Sequence, residues 1–91
     1  MSVQNLSWAF AQNPRDHLAK LMLVTLANEG GDETFFRRHP RNLAREFDCH
    51  PIAALRALYR LDEIGAITLQ ILHEDGSVEF HFNLPEADDQ P

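Results

Sequence analysis

Between Arg37 and Ile67 the chain reads RRHPRNLAREFDCHPIAALRALYRLDEIGAI, and the two His-Pro steps inside it limit what it can fold into. Proline has no N–H and holds φ near −65°, which suits the first position of a helix and not its interior. His39-Pro40 and His50-Pro51 therefore each predict a helix start, with the histidine as a flanking cap. The first helix, Pro40 to Phe47, would bury Leu43, Ala44 and Phe47. Asp48-Cys49-His50 forms the turn. The second helix, Pro51 to about Asp62, would bury Ala54, Leu58 and Leu61, with Ala57 at the margin, and Gly65 stops it.

Beyond Gly65, AITLQIL and SVEFHF alternate as strands around HEDG. Ile67, Leu69 and Ile71 share one parity, as do Val78, Phe80 and Phe82. A two-residue Asp75-Gly76 turn, or a four-residue loop from His73 to Gly76, puts both sets on one face. A three-residue loop would put them on opposite faces and is discounted.

Upstream, Asn13-Pro14 predicts the start of an earlier helix, with Asp16 in its first turn. Leu18, Leu21, Met22, Thr25 and Leu26 recur at helical spacing, Leu23 and Val24 widen the apolar surface, and Gly30-Gly31 ends the helix. GDETFFRRH is then a loop or short strand carrying Phe35 and Phe36 to the core. Residues 1–12 form a short helix or an extended arm. Trp8 and Phe10 in that arm would each forfeit roughly 1.5–3 kcal/mol in water, so they should pack on the domain or on a second copy. The organisation is an N-terminal arm (1–12), one domain (13–84) and an acidic, disordered tail (85–91).

Ninety-one residues allow a single modest core. No apolar run approaches the roughly 18 residues of a membrane span, no secretory signal is visible, and the single Cys49 fits a reducing cytoplasm. No Gly-rich phosphate loop, nucleophile elbow or paired-carboxylate cleft stands out, so no enzyme and no cofactor is expected. His17, His39, Cys49, His50, His73 and His81 lack any tight ligand spacing, which argues against a metal site.

The net charge of −6 argues against a protein that simply coats nucleic acid, yet the charge is unevenly placed. Residues 37–61 hold Arg37, Arg38, Arg41, Arg45, Arg56 and Arg60 against Glu46 and Asp48. The rest of the chain holds Arg15 and Lys20 against twelve acids. An arginine-rich segment in an acidic body suits a polyanion site or an acidic protein partner.

Helix, short strand, helix, turn, helix and two-stranded hairpin, taken together, resemble a winged helix-turn-helix. SWAF, KLMLVTLAN, NLAREF and LYRLDEIGAI resemble the N-terminal domain of phage and plasmid replication-initiation proteins, also found in small phage regulators. The likeness covers roughly residues 7–72. It implies an α+β, mostly helical fold of three main helices plus a C-terminal two-stranded β-hairpin wing, and a cytoplasmic regulator or replication accessory that binds double-stranded DNA as a homodimer. In that setting Arg37, Arg38, Arg41 and Arg45 would clamp the backbone, and Arg56 and Arg60 would reach the major groove.

The last helix departs from the family pattern. It opens HPIAALRALYR, where such domains usually carry Ser followed by basic and hydroxyl residues. Ile52, Arg56, Tyr59 and Glu63 would face outward with Leu55 and Arg60 on the flanks, and Glu74-Asp75 at the hairpin tip has the wrong sign for a phosphate. Trp8, Phe10, Ile52, Leu55 and Tyr59 are then candidate interface residues, unless the arm or the hairpin covers the stripe. The alternative function is a protein-interaction module on the same fold that inhibits a nucleic-acid-binding host enzyme, in the manner of an anti-CRISPR protein.

Overall fold

The computed structural model describes residues 3–85. Helices α1 (Val3–Ala11) and α2 (His17–Gly30) come first, then strand β1 (Phe35–Arg38), helices α3 (Pro40–Glu46) and α4 (Pro51–Glu63), and strands β2 (Ile67–Leu72) and β3 (Val78–Phe82). The fold is α+β, and its antiparallel sheet runs in the order β1-β3-β2. Among the described residues four helices and three strands thus replace the expected three helices and two-stranded hairpin. Within the expected arm Val3–Ala11 form a helix, and the short segment around Phe36 forms the third strand. The acidic tail beyond Pro85 lies outside the described residues.

Both His-Pro steps start helices as the sequence predicts. His39 Nδ1 accepts the Arg41 N–H at 3.1 Å, and His50 Nδ1 accepts the Ile52 N–H at 3.0 Å. Each histidine does the work usually done by Ser or Asp, satisfying one of the helix's orphan donors. α3 ends at Glu46 with Phe47 as its C-cap, and Asp48 turns the chain with φ of 54° while the Cys49 N–H closes on the Ala44 carbonyl at 2.9 Å. Gly65, at φ of 82°, takes the same role after α4.

The start of α2 differs from expectation by three residues. Pro14 is not the first residue of the helix but a buried ring in the core. Its carbonyl accepts from Arg60 Nε at 2.8 Å, and Arg15 turns left-handed at φ of 59° before Asp16, which holds the N-cap position without a side-chain capping bond. The carbonyls at the end of α1 are met by the Lys20 ammonium, which donates to Phe10 and Gln12. The reversal between α1 and α2 is therefore fixed by groups from α2 and α4.

Aromatic rings join the sheet to α1. Phe36 lies 5.4 Å from Phe80 and 4.8 Å from Phe82, and Trp8 lies 5.0 Å from Phe82. Such pairs add about 0.5–1.5 kcal/mol each beyond their area burial. Met22, Leu23 and Leu26 of α2, Leu43 of α3 and Leu58 and Leu61 of α4 close the same core. Ala57 is fully buried rather than marginal, and Phe47 packs on the core without being sealed in it. Phe35 does not reach the core: β1 alternates, so Phe36 points in and Phe35 stays half exposed.

The hairpin corrects a second expectation. His73 N–H bonds the Ser77 carbonyl at 2.8 Å and Gly76 N–H bonds His73 at 2.9 Å, leaving the three-residue loop Glu74-Asp75-Gly76, with Gly76 at φ of 91°. The parity conflict that made this loop unattractive is removed by a register shift. Ile67, Thr68 and Leu69 oppose Phe82, His81 and Phe80, but Ile71 opposes Glu79 and Leu72 opposes Val78. Gln70 is the extra residue of a β-bulge, and the bulge and the odd loop cancel.

Candidate functional site

The six arginines of residues 37–61 divide by what they touch. Arg37 is taken by the hairpin: its Nε donates to Ser77 Oγ at 3.1 Å and its guanidinium lies 3.5 Å from Asp75. Arg38 lies over the Phe36 ring, 5.2 Å from its centroid, and donates to the Arg37 carbonyl. Arg60 is taken by the α1–α2 reversal through Pro14, and pairs with Glu63 at 2.9 Å. Arg41, Arg45 and Arg56 are exposed, and among the described residues their guanidinium groups meet no partner. Arg41 and Arg45 stand one turn apart on α3, and Arg56 stands on the outer face of α4.

That outer face matches the predicted stripe. Ile52 is 57% exposed and Tyr59 is 48% exposed, with Arg56 between them and Leu55 half-buried against the core. Neither α1 nor the hairpin covers Ile52 and Tyr59. An open groove of about 450 Å³ runs beside the start of α4, lined by Asp16, Leu18, His50, Ile52, Ala53 and Arg56.

Of the two arm aromatics, only Phe10 is open, at 60% exposure; Trp8 is occupied by Phe82 and does not stand free as an interface residue. Phe10 gains a companion that the sequence reading placed in the core. Leu21 is half exposed and lines a shallow apolar depression of about 250 Å³ with Phe10, His17, Lys20 and Val24. The signal was present: Leu21, Met22, Leu23 and Val24 are consecutive, and at 100° per residue a helix cannot bury all four on one side.

The hairpin tip is tied to the start of α3. With Nδ1 accepting from Arg41, neutral His39 carries its proton on Nε2, which donates to the Asp75 carbonyl at 2.9 Å. A Cβ on Gly76 would stand 3.0 Å from that same Nε2, so glycine is needed there for space as well as for φ. Hydrogen bonds from the Ser77 hydroxyl and N–H hold the Asp75 carboxyl down at about 2, with a smaller contribution from Arg37. The tip's acid is thereby partly answered from within, while Glu74 remains exposed. His73 Nε2 and Glu79 meet at 2.5 Å further along the hairpin.

Among the described residues no group of three His, Cys, Asp or Glu is placed to hold a metal ion, and no helix is long and apolar enough to cross a membrane. No known protein family, no characterised protein and no solved structure matches this chain.

Proposed function

We propose that the chain is a winged helix-turn-helix protein that binds double-stranded DNA, acting in the cytoplasm as a regulator or replication accessory of phage or mobile-element type. Element order supports the fold reading: α2, β1, α3, α4, then a β2–β3 hairpin whose β3 lies between β2 and β1. α3 and α4 become the helix-turn-helix, α4 the recognition helix, and the hairpin the wing.

The observation that carries the function is the set of three exposed, partnerless arginines on the two helices that would meet DNA. Arg41 and Arg45 contact phosphates from α3, and Arg56 enters the major groove from α4, where its fork fits guanine O6 and N7. Arg37, Arg38 and Arg60 serve the fold first, so the expected six-arginine footprint contracts to three. One such module buries little surface on DNA, and a homodimer meeting through the Phe10–Leu21 depression would supply the second half-site. In a gel-shift assay on genomic fragments, Arg41→Ala, Arg45→Ala and Arg56→Ala combined should abolish binding that the wild type shows. Equal retention by both would refute this footprint.

A second reading is favoured by the bare Ile52–Tyr59 stripe and the net charge of −6. On it the same fold is a protein-interaction module that inhibits a nucleic-acid-binding host enzyme, as anti-CRISPR proteins do, with Tyr59 and Arg56 as anchors of the residue types enriched at interface hot spots. Tyr59→Ser separates the two: lost partner binding with intact DNA affinity supports the second reading, and the reverse pattern removes it.

A further inference from the structure

We infer that the first turn of α4 reads thymine 5-methyl groups, so that the DNA taken by this protein is a half-site in which guanine lies beside thymine. The inference rests on the DNA-binding reading and deepens it by naming what the recognition helix recognises. A major-groove reader is expected to carry amide, hydroxyl or charged side chains at the start of that helix, and this one does not. Pro51 has no N–H. Ile52 and Ala53 have no polar side-chain atoms. Ile52 is nonetheless more than half exposed, and it lines the groove together with Ala53, His50 and Arg56.

Four base-edge features are open to a reader of the major groove: acceptors, amino donors, the bare carbon edge and the thymine methyl. Only the methyl rewards an apolar side chain. Placed against a polar base edge, Ile52 would strip water from a donor or acceptor and return nothing; placed against a thymine methyl, it buries apolar surface on both partners. The residues flanking it supply the polar part of the readout. His50 has its Nδ1 engaged by the Ile52 N–H, so in its neutral form the proton is on Nε2, which stands as a single donor toward solvent. One turn further on, Arg56 offers its two-pronged fork, which meets no partner among the described residues. The first turn and a half of α4 thus presents one donor, two apolar side chains and one fork. Asp16 on the rim of the groove disfavours a phosphate inside it and leaves it to uncharged base edges. The cation at Arg56 and the two on α3 favour a polyanion as the occupant.

The test begins with the full chain and a random duplex library. Rounds of binding and sequencing should enrich a motif containing guanine next to one or two thymines. In the best duplex, each thymine is then replaced singly by deoxyuridine, which removes the methyl and nothing else. At least one replacement should weaken binding about three- to fourfold, the value of one buried methyl-sized group, ~0.8 kcal/mol. The same replacement should have no effect on Ile52→Ser, and should keep its effect on Ile52→Val, which retains an apolar contact. Ile52 is exposed, so both variants should fold; matching thermal transitions check that. Enrichment of a motif with salt-dependent binding but no uridine effect at any thymine would overturn methyl recognition and leave the DNA reading standing. Failure to enrich any motif, with no binding at low salt, would overturn both.

Discussion

On the sheet side of the molecule the arginines hold the protein together; on the outer faces of α3 and α4 they do not. Arg37 crosses forty positions of sequence to reach Ser77, and Arg60 crosses forty-six to reach Pro14. Removing Arg60 would leave the Pro14 carbonyl without its donor, and removing Arg37 would leave Ser77 with its bond to Asp75 alone. The guanidinium groups of Arg41, Arg45 and Arg56, from the same stretch of sequence, meet no partner among the described residues. Stability is expected to be sensitive to the first set and indifferent to the second, because a solvated side chain contributes to folding only what it contacts. The contrast teaches that a run of like charge is a composite: part scaffold and part free surface, with only the second part available to a ligand.

The largest effect should come from destroying the scaffold itself. Phe36 is buried between Phe80 and Phe82 and carries the sheet onto the helices. Phe36→Ala should cost about 3–5 kcal/mol, read as a shift of the urea midpoint, and in so small a domain would come close to unfolding it. Retention of most of the stability would mean that the aromatic cluster does not organise the core.

Next come the paired tests of the contrast. Arg60→Ala should lose about 1–2 kcal/mol of stability, since the Pro14 carbonyl loses a charged donor, while DNA affinity measured at a temperature where the variant is folded should change little. Arg56→Ala should do the opposite, with stability within about 0.5 kcal/mol and specific DNA binding weakened by about 1–3 kcal/mol. Calorimetry and anisotropy on the same two variants decide it; equal effects in both assays would erase the distinction.

Two smaller substitutions refine the free face. Asp48 holds a left-handed φ at the C-terminal end of α3, where a β-carbon is strained and a negative charge opposes the helix dipole. Asp48→Gly should raise stability by about 0.5–1 kcal/mol, visible as a higher Tm, and no change would indicate that the aspartate is compensated by contacts of its own.

The smallest shift is expected at Glu46. Hydrogen bonding to Glu29 and burial raise its carboxyl above the ordinary value of 4.5, the charge of Glu29 adds to this, and Arg38 opposes it. A carboxyl raised in the folded state favours folding below its ordinary value and loses that advantage as pH rises through the folded value. Glu46→Gln should therefore stabilise by a few tenths of a kcal/mol at pH 7, and the gain should vanish below about pH 4. A gain that persists undiminished at low pH would show that repulsion from Glu29 is not its source.

Much of this architecture was legible because it depends on local chemistry. Proline after histidine fixes both helix starts, Gly65 fixes a helix stop, and strict alternation marks Phe80 and Phe82 as inward. What was not legible depends on distant parts of the chain. Pro14 looked like a helix start because nothing local reveals that Arg60 will anchor its carbonyl. The three-residue hairpin loop looked wrong because a bulge at Gln70 leaves no signature in an otherwise alternating strand. Phe35 and Phe36 are indistinguishable in composition, and only the register of β1 on β3 separates them. The same limit applied at the site: charge count suggested six arginines, and only the fold shows which three have been spent on Ser77, Phe36 and Pro14.

The central claim is that Arg41 and Arg45 meet phosphates, and the salt dependence of binding tests it most directly. Fluorescence anisotropy of a labelled random duplex, titrated at salt concentrations between about 50 and 200 mM, gives the slope of log affinity against log salt. Two phosphate contacts predict a slope of about −1.8 per protomer, a loss of roughly tenfold over that range, doubled in the exponent for a dimer, and Arg41→Ala with Arg45→Ala should flatten it. No binding at the lowest salt, or a slope that the two substitutions leave unchanged, would contradict the account.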